Sequence, residues 1–254
     1  MLIITSPAKT LDLESEYTLS ISPTQPQFSK QAAQIASDLR NLNEAQIQKL
    51  MHINSKLAEL NVQRYKSWSK KHSVSNSRPA LHIYKGDIYR QLTPDTYNEK
   101  QQQYVQKSLR IISGLYGVLK AYDLMQPYRL EMKLDLRKYN GPKLADYWSN
   151  IVTESLNKDA KSENHNFLLN LASKEYAAAV DFKKLTIPVV TVDFKQIQAN
   201  GDLKTVAILS KIARGLMIEF CIKNTVENLD GVKNFNVEGY KLVEEGSKKL
   251  VFAR

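Results

Sequence analysis

A lysine follows the first apolar segment of the chain, in the sequence Ser6-Pro-Ala-Lys-Thr10. Residues 2–5 are predicted to form a short buried strand, and a lysine at a strand end can bind a phosphate or a carboxylate. Lys9 is therefore a candidate for binding or for acid–base chemistry. The segment lacks the glycines with which a P-loop surrounds phosphates, so it is no nucleotide motif by itself. An ordinary solvated loop lysine is the alternative interpretation.

A second group of charged side chains surrounds a glycine in Tyr84-Lys-Gly-Asp-Ile-Tyr89. Glycine readily adopts a positive φ, and such a conformation at Gly86 would redirect Lys85 and Asp87. The two side chains would then present a cation and a carboxylate at one point of the surface. A plain turn anchored by two tyrosines is the alternative.

Further polar residues are predicted at the ends of strands and helices. Arg129 and Glu131 alternate with apolar neighbours, so both charges share one face of an extended segment and form either an internal salt bridge or a polar site. Asn170 ends another predicted strand, and Lys174 lies at a predicted helix start, where anions are favoured. No reaction follows from these residues, but six of them are candidates for catalysis: Lys9, Asp87, Arg129, Glu131, Asn170 and Lys174.

The usual catalytic and metal-binding patterns are weak. The four histidines, His52, His72, His82 and His165, have no paired spacing, and Cys221 is the only cysteine. A structural zinc or iron–sulfur site is therefore not expected, and no metal site and no cofactor are predicted. Cys221 lies in an apolar helical segment and is interpreted as a core residue.

The charge of the chain points to a polyanion. It contains 36 Lys and Arg against 26 Asp and Glu, which gives a formal net charge of +10. Such an excess attracts polyanions, and nucleic acid is the commonest polyanion in a cytoplasm. The alternative is that the charge only maintains solubility.

The basic residues are concentrated in two regions. One is a predicted helical hairpin at about residues 43–66 with the segment behind it, in which Ser55 could cap the second helix. The other is a late predicted helix, where spacings of seven and three place Lys204, Lys211 and Arg214 on one face. A solvated stripe is again the alternative. The candidates for contact with nucleic acid are Lys49, Ser55, Lys56, Arg64, Lys70, Lys71, Lys85, Lys204, Lys211 and Arg214.

The elements that position these residues are strands and helices without a strict βαβ rhythm. Apolar spacing predicts strands at 2–5, 80–84, 167–171, 188–194, 240–243 and 250–252. It predicts helices around 32–39, in the hairpin, and at 101–119, 146–157 and 205–223. No linker or repeat divides the chain. We therefore predict an α+β fold, one compact unit over residues 1–254 with a mixed sheet flanked by helices.

The sequence also bears on the location of the protein. No segment approaches the ~20 apolar residues that a membrane span requires, so no membrane partner is expected. A single cysteine without a signal peptide predicts a cytoplasmic protein. The oligomeric state stays open, with a monomer as the expectation.

Several of these segments together resemble the YaaA family of bacterial peroxide-stress proteins. The stretch from Asp123 to Met132 is the most specific of them. The matching segments follow the family order from residue 6 to residue 240: Ser6-Pro-Ala-Lys-Thr10, Lys85-Gly-Asp87, Ser113-Gly-Leu-Tyr-Gly-Val-Leu119, Asp123-Leu-Met-Gln-Pro-Tyr-Arg-Leu-Glu-Met132, Asn170-Leu-Ala-Ser173, Ala213-Arg-Gly-Leu-Met217 and Glu238-Gly-Tyr240.

The resemblance implies a cytoplasmic protein of the oxidative-stress response. Its family is associated with lowering free intracellular iron, which limits hydroxyl-radical damage to DNA. The resemblance also implies a DNA-binding fold with a basic cleft and a helix-hairpin-helix-like element, for which residues 43–66 are the natural place. Amide groups there, with Lys56, would hold a phosphate without reading bases. No settled catalytic activity is implied.

Three hypotheses follow. The first is a protein that binds DNA, double-stranded or locally distorted, largely without sequence specificity. Tyrosines near the proposed cleft could stack on an exposed base: Tyr84, Tyr89, Tyr116 and Tyr128. The second is an enzyme that acts on a nucleic acid or a nucleotide-like molecule, if the catalytic candidates converge in a polar cleft. The third is direct iron binding, which the dispersed histidines oppose, so an indirect effect on iron is expected.

Overall fold

The computed structural model describes residues 1–254. Ten strands alternate irregularly with nine helices. The strands are β1 (Leu2–Thr5), β2 (Arg78–Pro79), β3 (Leu109–Ser113), β4 (Gly117–Lys120), β5 (Leu124–Met125), β6 (Leu168–Asn170), β7 (Val189–Ile197), β8 (Leu203–Lys204), β9 (Lys241–Gly246) and β10 (Lys249–Ala253). The helices are α1 (Ser29–Arg40), α2 (Glu44–Met51), α3 (Ser55–Ser67), α4 (Ala80–Ile83), α5 (Glu99–Ser108), α6 (Leu144–Ser162), α7 (Lys174–Ala177), α8 (Ala207–Lys223) and α9 (Leu229–Lys233).

Eight strands form one mixed sheet in the order β4-β3-β1-β6-β7-β10-β9, with β8 paired to β7. The pairs along β3-β1-β6-β7-β10 are parallel, and β4, β8 and β9 pair antiparallel. Helices flank this sheet, and the prediction of an α+β fold with a mixed sheet is confirmed. The central strands are buried on both faces, as is typical of parallel strands covered by helices.

Strand β1 lies at the point where the strand order reverses. Its residue Ile3 pairs with Leu109 on one side, and Leu2 pairs with Leu168 on the other. The chain therefore runs from β1 to β3 in one direction and later crosses to β6 in the opposite direction. In open α/β sheets, ligands bind outside the carboxyl ends of the strands at such a switch point.

The predicted helical hairpin is present as α2 and α3. Asn43 and Gln46 form a capping box at the start of α2, which stabilises the first turn. The cap of α3 differs from the prediction, because Asn54 and not Ser55 accepts a hydrogen bond from the amide of Leu57 at 2.9 Å. Ser55 is instead the first helical residue and donates to the Glu44 carboxylate.

The helix predicted for residues 101–119 is wrong in its second half. Helix α5 ends at Ser108, and the following residues form the β3–β4 hairpin. A fully buried strand is apolar at nearly every position, so its residues also satisfy helical spacing. The two glycines of this hairpin pack closely, Gly114 against backbone and Gly117 against the ring of Trp148. A Cβ on Gly114 would lie 2.3 Å from the carbonyl oxygen of Leu130, and Gly117 has a φ of +70°.

The strand predicted for residues 80–84 is also wrong. These residues form the single helical turn α4, whose first two amides donate to the carbonyls of Asp123 and Ala121. The expected positive φ at Gly86 is absent as well. Gly86 instead permits close packing, since a Cβ there would lie 3.0 Å from the Cβ of Ala8. The alternating pattern of the segment thus reflected a buried turn and not a pleated strand.

The predicted late helix starts at Ala207, so Lys204 lies outside it on β8. The three basic residues assigned to one helical face are therefore two, Lys211 and Arg214. None of the helices is long and apolar enough to cross a membrane.

Candidate functional site

A cavity of about 390 Å³ opens at the carboxyl ends of β1 and β6. The ends of the two strands are joined by Ser6, whose Oγ accepts a hydrogen bond from the amide of Ser173 at 2.9 Å. The Tyr89 hydroxyl donates to the carbonyl of Ser6 at 2.8 Å. Polar side chains at consecutive strand ends are thereby fixed along one wall of the cavity.

Helix α8 supplies the opposite wall. A Cβ on Gly215 would lie 2.2 Å from the carbonyl oxygen of Ile88, so only a glycine permits this approach of the helix to residues 88–91. The approach carries Lys211 and Arg214 to the cavity. Lys211 lies 3.8 Å from the Asp87 carboxylate across the opening.

An ion cluster centred on the buried Glu131 carboxylate lies next to the cavity. The Lys9 ammonium lines the cavity and lies 3.1 Å from Oε1 of Glu131. The same oxygen accepts a hydrogen bond from the Arg129 guanidinium at 3.0 Å. The other oxygen of Glu131 is buried without a partner. Of the two interpretations of this pair, the structure shows the internal salt bridge, with the second carboxylate oxygen enclosed and unpaired.

Two charged side chains in and near the cavity have shifted pKa values, Asp12 and Arg214. The Lys85 ammonium binds Asp12 at 2.8 Å, and this hydrogen bond holds the pKa of the Asp12 carboxyl far below its ordinary value. Burial lowers the pKa of Arg214, whose Nε has no partner. Arg214 is therefore a half-buried cation that forms no salt bridge and is offset only by the field of Asp193, so a bound anion would compensate its desolvation.

The predicted catalytic candidates converge only in part. Lys9 and Asp87 line the cavity, and Glu131 and Arg129 reach it through Lys9. Asn170 is buried at the end of β6, where it accepts from the amide of Ala172 and donates to Thr191. Lys174 is exposed at the start of α7 and does not line the cavity.

The ten basic-surface candidates divide into separate groups. Three of them, Lys85, Lys211 and Arg214, line the cavity. Lys204 lies with Asn200 and Asp202 at a shallow depression beside β8. The other six belong to the hairpin and the segment after it: Lys49, Ser55, Lys56, Arg64, Lys70 and Lys71. Of these, only Arg64 is half-buried, and the others are exposed.

The four tyrosines proposed for base stacking are buried: Tyr84, Tyr89, Tyr116 and Tyr128. The hydroxyl of Tyr128 bonds to Tyr84 at 2.8 Å and to Ser113 at 2.7 Å. Burial raises the pKa of Tyr128 to about 12. Their rings therefore pack in the interior and are not accessible to a base.

Among the residues of the cavity that sequence reasoning missed are Arg90, Glu175 and Tyr176. Arg90 follows the Tyr84–Tyr89 segment directly, and Tyr176 ends the polar segment that begins at Asn170. These residues lie in or next to segments that the sequence identifies as polar. The sequence does not show that these two segments meet, because only the strand order brings them together. The structure contains no group of three or more His, Cys, Asp or Glu side chains that could hold a metal ion.

The fold and the cavity define an α+β protein with a polar, ligand-sized pocket at the switch point of its sheet. The chain belongs to the family described as peroxide stress protein YaaA, whose model matches residues 1–246. The resemblance drawn from the motifs is thus confirmed.

The curated relatives match along nearly their whole length. A UPF0246 protein of Aliivibrio fischeri strain MJ11 is 42% identical over 256 residues, which cover 100% of this chain and 98% of the relative. A UPF0246 protein of Flavobacterium psychrophilum is 42% identical over 257 residues and 100% of both chains. One of Polynucleobacter necessarius is 40% identical over 256 residues, covering 100% of this chain and 98% of the relative.

Proposed function

We propose that this protein acts in the bacterial response to peroxide by binding the DNA backbone, largely without sequence specificity. It works in the cytoplasm as one unit, and it helps to limit iron-dependent oxidative damage to DNA while free iron is lowered. The family description supports the peroxide context. The observation that carries the DNA proposal is the hairpin α2–α3 with its unpaired, exposed lysines.

The hairpin has the groups that a phosphate requires. The first amides of α3, those of Ser55 and Lys56, have no acceptor within the protein, and a helix N-terminus attracts anions. Lys49 and Lys56 are exposed on either side of the connection and form no ion pair. Together they supply backbone contacts that fix a duplex without reading its sequence.

The segment after α3 would extend this surface. Trp68 and His72 each bond the buried hydroxyl of Tyr116 at 3.0 Å. Lys70 and Lys71 lie between these two anchors and are exposed. The anchors hold the two lysines in place, so less side-chain and backbone entropy is lost when DNA binds.

Fluorescence anisotropy of a labelled random-sequence duplex tests the proposal over a series of salt concentrations. The test variant replaces both Lys49 and Lys56 with Glu. Arg64 is left unchanged, because burial lowers the pKa of Arg64 and a carboxylate at that position would be desolvated. Loss of two phosphate contacts reduces the log–log salt slope by about 1.8 and the affinity by roughly 60-fold at 0.1 M salt.

The matched control is Lys241→Glu with Lys248→Glu, which changes the net charge equally on exposed residues of β9 and the following turn. It should bind DNA nearly as the natural protein does. The proposal is refuted if the natural protein does not bind at low salt, or if the control loses as much affinity as the hairpin variant. In cells, the hairpin variant should fail to lower chelatable iron after peroxide exposure.

The cavity supports a second candidate, an enzyme that acts on a nucleic acid or a nucleotide-like substrate. The observation in its favour is the unpartnered oxygen of the buried Glu131, whose other oxygen contacts Lys9 at the cavity wall. A carboxylate oxygen with no hydrogen bond can accept a proton from a bound substrate. Incubation with nucleotides and oligonucleotides, followed by chromatography of the products, tests it, and no conversion of any of them would refute it.

A further inference from the structure

The cavity at the ends of β1 and β6 has the size and the location of a small-molecule site. Its volume of about 390 Å³ lies within the range of about 300–1,000 Å³ that is typical of ligand pockets. Larger depressions occur elsewhere, such as the one of about 550 Å³ beside Met1. The cavity at β1 and β6, in contrast, lies at the switch point of the sheet, where crossing connections leave an open crevice.

The charge of its lining selects an anion. Five cationic side chains face two carboxylates, namely Lys9, Lys85, Arg90, Lys211 and Arg214 against Asp87 and Glu175. Three of the cations are already paired, with Glu131, Asp12 and Asp87. The guanidinium groups of Arg90 and Arg214 form no salt bridge, and Glu175 is the one lining carboxylate without a cation partner, so the unpaired charges of the lining are net positive.

These two guanidinium charges match a phosphate monoester. A phosphoryl group carries a charge of about −1.5 to −2 at neutral pH, whereas a carboxylate carries only one negative charge. A guanidinium also presents two parallel N–H groups that suit phosphate oxygens. The Arg214 side chain is half-buried and its Nε has no acceptor, so it is already desolvated for such a partner.

We propose that this cavity binds a small phosphate monoester, such as a sugar phosphate or a nucleoside monophosphate, through Arg214, Lys211 and Arg90. This inference shares the cavity with the second candidate function and rests on it to that extent. It does not require DNA binding. Gly215 lets α8 approach closely enough to place two of the three cations. The Ser6–Ser173 contact fixes the facing wall, so the site exists before the ligand arrives.

Isothermal titration with ribose 5-phosphate, adenosine 5′-monophosphate and inorganic phosphate, in a low-salt buffer free of phosphate, tests the proposal. We expect the esters to bind and adenosine without phosphate not to bind. Preference for adenosine 5′-monophosphate over ribose 5-phosphate would identify a nucleotide site, and equal affinity would identify a sugar phosphate site. Absence of binding by all three phosphate compounds would overturn the proposal.

The variants locate the site. Arg214→Gln should weaken binding at least about tenfold, the loss that one charge-assisted contact produces. The Lys211 side chain is exposed, so Lys211→Gln leaves the helix intact and should weaken binding of the esters by about threefold. Arg137→Gln, at an exposed arginine outside the cavity, is the matched control. Equal affinity of all three variants and the natural protein would refute the assignment.

The same samples separate this proposal from the DNA proposal. The Lys49→Glu, Lys56→Glu protein should lose DNA affinity and retain the affinity for ribose 5-phosphate. Ester binding without DNA binding would support the cavity and refute the hairpin. DNA binding without ester binding would support the DNA proposal and refute the proposal for the cavity.

Discussion

The buried carboxylate of Glu131 holds together two segments that are distant in the chain. Its Oε1 lies 3.1 Å from the Lys9 ammonium and 3.0 Å from the Arg129 guanidinium. The Glu131 side chain is only 4% exposed. Glu131→Gln keeps the size of the side chain and removes the charge between the two cations.

The exposure of the two cations that contact Glu131 determines how much Glu131→Gln lowers the free energy of unfolding. Removing one partner of a buried ion pair costs about 3–5 kcal/mol, because the other charge stays desolvated. Arg129 is 16% exposed and Lys9 is 58% exposed, so only Arg129 loses its compensation in a buried setting. We therefore expect Glu131→Gln to lower the free energy of unfolding by about 3 kcal/mol, at the lower end of that range. Lys9→Met should lower it by less than about 1 kcal/mol.

Urea unfolding followed by tryptophan fluorescence measures both changes. For a protein of this size, 3 kcal/mol also corresponds to a fall in Tm of about 6–12 °C. Glu244→Gln, at an exposed glutamate of β9, is the matched control and should change neither quantity. A loss below about 1 kcal/mol for Glu131→Gln, or an equal loss for Lys9→Met, would refute the reasoning.

Three further predictions concern packing, pH and the thiol. Gly114→Ala should destabilise the fold by about 3 kcal/mol, since its Cβ would meet backbone, whereas Gly246→Ala, with its nearest neighbour at 3.5 Å, should be nearly neutral in urea unfolding. Burial raises the pKa of Asp123 to about 6, so the native protein binds this proton more tightly than the unfolded chain. The free energy of unfolding of the natural protein relative to Asp123→Asn should then fall by about 2 kcal/mol between pH 4 and 7, and a difference that is constant with pH would contradict this. Burial raises the pKa of Cys221 to about 12, so hydrogen peroxide should oxidise it only after unfolding in guanidinium chloride, as measured by mass spectrometry.

The sequence predicted well the elements whose ends carry strong local signals. Asn43, a residue type that favours the N-cap, marked the start of α2, and the strands around β6 and β7 were bounded by polar or proline residues. Failure occurred where burial is complete, because the residues of β3 and β4 satisfy both periodicities. Glycines 114 and 117 indicated close packing correctly, but that observation is compatible with either element.

The candidate site could be predicted only in pieces. Lys9, Lys85 and Asp87 were chosen for their residue types beside presumed strand ends, and all three line the cavity. Their meeting with Lys211 and Arg214 depends on the strand order and on the close approach at Gly215, which no local pattern encodes. Burial of the tyrosines was equally invisible, since their spacing does not reveal which layer covers them.

The central position of β1 has a consequence for how the protein folds. Its partners, Leu109 and Leu168, lie more than 100 and more than 160 residues further along the chain, so long loops must close before β1 is paired. Such non-local pairing slows folding and leaves apolar strands transiently exposed, which is when chaperones are needed. The cavity is built from the ends of these same strands, so it forms only in the last, cooperative step. Ligand binding would thus report completion of the whole sheet during refolding, while the hairpin α2–α3, made of local contacts, can form much earlier.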